Sequence, residues 1–182
     1  SLENAPAGQN LFLTMGDATT AVVITASNAA NESTGVSITT GGTVNTSKGG
    51  GQTTVGHTNQ MVDVGEIMNF TFVTGANSQL TIPNLDHGEA IDESNIQFTQ
   101  LLGSGGASFD IVQLQKGKEA TVKITTVNTN AASGDGFIAP GQTNAPVNLD
   151  TVKVRDANGL DISSSVTINK LGMQPIAKRE AA

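Results

Sequence analysis

The chain reads as an all-β protein: an antiparallel β-sandwich, with the jelly roll as one arrangement its strands could take. Three observations predict this. Apolar residues recur with period two. In Glu66-Ile67-Met68-Asn69-Phe70-Thr71-Phe72-Val73, for example, Met68, Phe70 and Phe72 fall on one side of an extended chain and Asn69 and Thr71 on the other. Such runs are short, bracketed by turn-forming residues and spaced at about 8–12 residues, as in sandwiches and barrels. Finally, 21 glycines, few charges, and Thr, Ser, Asn and Gln over most of the polar positions suit exposed β-structure better than a helical enzyme.

In chain order, residues 1–10 lack periodicity and read as an N-terminal arm. A single sandwich domain is expected over 11–170, and 171–182 as a C-terminal tail that ends in Lys178-Arg179-Glu180-Ala181-Ala182. Leu11-Phe12-Leu13 and Ala21-Val22-Val23-Ile24, separated by Gly16-Asp17-Ala18-Thr19, give a first hairpin. Val36, Ile38, Val44 and Val55 mark weaker strands in a Thr/Gly-rich background. The run 66–73 is the central strand, and a core is expected around Phe70 and Phe72, two of the six Phe in a chain without Trp or Tyr. Ser78 to Ile82 is a short strand stopped by Pro83, and 86–95 has room for one helical turn. Ile96 to Leu102, Ser108 to Gln115 and Glu119 to Val127 then alternate cleanly and predict an antiparallel meander with one wet face. Asn128 to Asn148, with Pro140 and Pro146, reads as a long loop suited to contacts. Leu149 to Arg155 and Leu160 to Ile168 flank Asn158-Gly159 as a final hairpin.

Composition also narrows function. The net charge of -7, from nine Lys plus Arg against sixteen Asp plus Glu, disfavours nucleic acid and anionic membrane, both of which need a basic footprint. No apolar run approaches the roughly 20 residues of a membrane-spanning helix, so no membrane insertion is expected, and no leader sequence is legible. Ser1 in place of Met leads us to expect a trimmed precursor. The absence of Cys removes disulfides, thiol catalysis and thiolate metal sites together. The compositional bias as a whole points to the cell surface or the extracellular space.

Among candidate sites, Asp86-His87-Gly88-Glu89-Ala90-Ile91-Asp92-Glu93 places four carboxylates within eight residues. Hard cations take six to eight oxygens, so Asp86, Glu89, Asp92 and Glu93 are the candidate calcium ligands, against the plainer reading of a solvated acidic loop. Asp156 to Asp161 opens like a calcium loop but has Thr167 where a bidentate Glu would be needed, and a hairpin turn explains it. Gly51 to Thr58 imitates a phosphate loop with His57 in the place of Lys, and no apolar helix follows. His57 and His87, the only histidines, are too few for an easy zinc site and are expected at the surface. There is no G-x-S-x-G, and a sugar cleft would lack Trp and Tyr, so no enzyme is expected. Asn31, Asn45 and Asn69 each open a glycosylation sequon, the first two in expected loops.

Val62-Asp63-Val64-Gly65-Glu66 before Phe70-Thr71-Phe72-Val73, and Leu149 to Gly159, resemble modules of large secreted bacterial surface proteins of the RTX adhesin type. The likeness covers about 62–170. It implies extracellular β-sandwich modules, stiffened by calcium, used in adhesion or as spacers. The tandem G-G-x-G-x-D-x-U-x repeats are missing, Gly105 to Asp110 being a single imperfect copy.

These readings converge on a non-enzymatic structural subunit or module of a surface filament, matrix fibre or adhesin, whose expected partners are copies of itself. Edge pairing would join them, with Leu11, Phe12, Leu13 and Met15 as the donor strand; the same residues serve equally well as an ordinary first strand. The alternatives are a calcium-assisted carbohydrate-binding module that takes surface glycans through the loops 84–95 and 128–148, and a virion decoration or fibre protein.

Overall fold

The computed structural model describes residues 8–10, 12–28, 42–48, 53–76, 97–112, 120–130 and 144–168. The chain forms two compact units, one built from its first 120 residues with 129–143, the other from 121–128 and the residues from 144 onward. Each is taken by itself. Among the described residues the five ladders of the first unit are antiparallel and no α-helix occurs; a single 3-10 turn spans Ser163–Ser165.

The first unit holds two sheets. Strands β2 (Phe12–Gly16), β3 (Ala21–Asn28), β6 (Glu66–Thr74) and β7 (Gln100–Leu101) lie in the order β2-β3-β6-β7. The second sheet, in the order β1-β4-β5, is made of β1 (Gly8–Asn10), β4 (Val44–Ser47) and β5 (Thr54–His57). The expected first hairpin is present. Asp17 makes its turn, its Oδ1 accepting from the backbone N–H of Thr19 at 2.7 Å and of Thr20 at 2.9 Å. Gly16 precedes it at φ +123, where a side chain would collide with the Thr20 carbonyl.

β3 is the hinge of the packing, because its β-branched residues are buried on both faces. Val23 and Ala21 join Phe12, Val73 and Phe98 in one cluster, while Ile24 and Ala26 join Leu13 in the other. Val44, from the second sheet, belongs to that second cluster, with Val55 packed against it. The two sheets therefore meet face to face, with an apolar filling between them, as in a sandwich.

Several expectations change. Residues 8–10, read as part of an arm, pair with β4 through Gly8↔Thr46, Gln9↔Asn45 and Asn10↔Val44. The central strand exists where expected, but both of its faces meet core, and Phe70 is not part of it. Phe70 is 46% exposed and the buried residue of β6 is Val73, on the opposite face. The second sheet reaches Met68, opposite Ala26, and leaves Phe70 uncovered, while the other face receives Phe12, Val23 and Phe98. The meander is also absent among the described residues. Strand β7 has only two residues, and 108–112 and 120–125 lie outside strands and are exposed. Their alternation marks residues able to pair, but pairing also needs a neighbouring edge.

The second unit contains most of β8 (Thr126–Thr129) and all of β9 (Asn144–Val147), a two-stranded sheet. Its β9 lies in what was read as loop, and Pro146 is tolerated because both strands are edges. The last hairpin is reduced to its turn, closed by the lone bridge Arg155↔Asp161 and by Arg155 Nη1 donating to the Gly159 carbonyl at 2.9 Å.

Candidate functional site

The described residue that departs furthest from expectation is His57. It was expected at the surface, yet it is 2% exposed. The cause is strand parity. His57 stands opposite Val44 in the β4–β5 ladder, and Val44 is fully buried, so the imidazole shares the inner face of its sheet. Gly42 makes room for the ring, since a Cβ there would collide with Cε1 and Nε2 of His57.

His57 Nδ1 lies 3.1 Å from Glu66 Oε1 and 3.1 Å from Thr58 Oγ1. Glu66 opens β6, so this contact ties one sheet of the sandwich to the other. The connection between them is strongly ordered. Asp63 N donates to Glu66 Oε2 at 2.6 Å, Met61 N to Asn59 Oδ1 at 2.6 Å, and His57 N to the Met61 carbonyl at 2.7 Å. Thr58 sits at φ +58, a conformation that is costly for a β-branched residue. Its carbonyl accepts from Gln9 Nε2 at 2.7 Å and its N–H donates to the Thr43 carbonyl at 2.6 Å, which holds it there.

A hydroxyl, an imidazole and a carboxylate in contact suggest a nucleophile relay. The geometry does not make one. A relay needs the hydroxyl on one ring nitrogen and the acid on the other, whereas Thr58 and Glu66 both meet Nδ1, and Nε2 is buried with no partner. The arrangement is suited to holding β5 against β6. The phosphate-loop imitation ends the same way: Gly56 and His57 belong to a strand, not to a helix N-terminus.

The other predicted residues fall as follows. Asp86, Glu89, Asp92 and Glu93, the candidate calcium ligands, lie outside the described residues, as do His87 and Leu11. Among the described residues no three His, Asp or Glu gather as a metal group. Phe12 and Leu13 are buried in β2, on opposite faces, and Met15 is half-buried against the second cluster. All three are paired with β3 of their own chain. Asn69 donates to Ser27 Oγ at 3.0 Å from within β6. Asn45 belongs to β4, not to the expected loop, and Asn31 lies outside the described residues.

Asp156 Oδ1 is engaged by its own turn, accepting from Asn158 N and Leu160 N at 2.9 Å each. Hydrogen bonds from Leu160 and Asn158 hold its carboxyl below the usual carboxylate range, and bonds from Ser163 do the same for Asp161. Oδ1 of each residue thus serves the hairpin turn, in line with the turn reading of that stretch. Sequence reasoning missed the His57–Glu66 pair. The signal lay in the two-residue step from Val55 to His57, which puts both on one face of a strand once Val55 is assigned to the core. No family model, curated protein or solved structure matches the chain.

Proposed function

We propose that this chain is a non-enzymatic structural protein of the extracellular space: a β-sandwich subunit or module of a bacterial surface filament, matrix fibre or adhesin that associates with copies of itself. One observation carries the reading. Segments with the alternation of strands are left uncovered, with Phe109, Ile111, Val122 and Ile124 at 55, 54, 51 and 43% exposure. Large apolar side chains concentrated in β-competent segments are the raw material of strand addition, in which backbone hydrogen bonds supply affinity and alternate side chains supply register. These segments are better placed to donate than β2, whose Phe12 and Leu13 already fill the cores of their own chain. Withdrawing each from its core would cost about 1.5–3 kcal/mol in lost burial.

At the His57 grouping the hydroxyl and the carboxylate meet the same ring nitrogen, an arrangement that braces β5 against β6. Light scattering and negative-stain microscopy of the full chain, with calcium and then with a chelator, test the proposal. Oligomers or fibres are expected. Their dissolution by the chelator would place calcium in the contacts, with 86–93 the first segment to mutate; a monodisperse monomer in both conditions would refute self-association.

A further inference from the structure

The inner face of the β1-β4-β5 sheet carries polar atoms that the apolar filling does not satisfy. Asn10 and Thr46 are buried, at 0% and 2% exposure, and Asn10 Oδ1 and Thr46 Oγ1 meet no hydrogen-bond partner. Leaving two such atoms dry is costly, and most buried polar atoms in folded proteins find a partner. Register places this pair together. Asn10 stands opposite Val44, and Thr46 lies two residues further along β4, so the two share a face as diagonal neighbours. Diagonal residues of a ladder lie about 7–8 Å apart, a separation that one water between two polar side chains can bridge.

The residue opposite Thr46 is Gly8, which brings no side chain to the face. The Asn10 amide is also fixed, since Nδ2 donates to the Gly8 carbonyl at 3.2 Å and turns Oδ1 the other way.

From this we infer that an ordered water molecule bridges Asn10 and Thr46 on the inner face of the sheet. It donates to Asn10 Oδ1 and exchanges a hydrogen bond with Thr46 Oγ1. A single water is the partner of the right size and chemistry, because it both donates and accepts and needs only two to four polar neighbours. The sandwich then holds a wet point between β1 and β4, and the short first strand owes part of its attachment to it.

Thr46→Val tests the site, because it removes the hydroxyl and keeps the shape. With water bound, the urea midpoint of Thr46→Val falls, Asn10→Leu falls likewise, and the double variant loses less than the sum, the water being displaced as a unit. A rise in midpoint for Thr46→Val means that the hydroxyl was dry and overturns the inference. Strictly additive losses overturn it too, since they leave no shared partner. A high-resolution crystal structure of the unmodified chain decides the matter without any variant: a water within about 2.7–3.2 Å of both atoms is expected, and protein atoms filling that position contradict it.

Discussion

At Gly42 the absence of a side chain is what lets a histidine enter the core. Gly42→Ala would drive a methyl group into the His57 ring and push it off Glu66. We expect a loss of about 1–3 kcal/mol, the range for overpacking, read as a lower urea midpoint with an unchanged slope. His57→Ala should cost at least as much, through lost packing and a Glu66 carboxylate deprived of its partner. Leu13→Ala removes a 2% exposed side chain from the middle of the second cluster and should cost about 2–5 kcal/mol. Phe70→Ala, at an exposed site on β6, should cost much less. A Phe70 effect as large as that of Leu13 would mean that the second sheet covers Phe70 as well as Met68.

At the scale of elements, the turns carry the acid sensitivity. Hydrogen bonds from Thr20 and Thr19 hold the Asp17 carboxyl below its ordinary value of 3.8, and the backbone and side-chain donors already described do the same for Asp156 and Asp161. A carboxyl depressed in the folded state stabilises it above the ordinary pKa, and that contribution is lost as pH falls through the folded value. Stability should therefore decline below about pH 4, and Asp17→Asn should flatten the β2–β3 hairpin's share of the decline, as monitored by urea midpoints between pH 6 and 3.

These same turns were legible in the sequence, because Asp17 before Ala18-Thr19 and Asp156 before Asn158-Gly159 carry local chemistry that needs no distant partner. The strands β2, β3 and β6 were legible too, from their alternation. That both faces of β6 meet core was not, because alternation separates two faces without saying how far along each one a neighbouring layer reaches. The segments 108–112 and 120–125 failed for a related reason: strand propensity is local, whereas a ladder depends on what lies beside it. His57 and Glu66 are nine residues apart, and only the parity of β5 against β4 brings the ring inside. The acidic loop at 86–93 falls outside the described residues, so its calcium reading rests on residue type alone.

On the scale of the whole molecule, the uncovered alternating segments account for the proposed self-association. Ile111→Asp and Val122→Asp would put a charge on strands that must pair and pack, and each should weaken association by tenfold or more, which corresponds to about 1.4 kcal/mol. Neither should lower the urea midpoint of the isolated chain, because both residues are exposed within it. The most direct test is the mass of the full chain in solution, measured by light scattering over a wide concentration range beside the Ile111→Asp and Val122→Asp variants. The account predicts a mass that climbs with concentration for the unmodified chain and stays near that of the monomer for both variants. A monomer mass at every concentration, or variants that assemble as well as the parent, would contradict it.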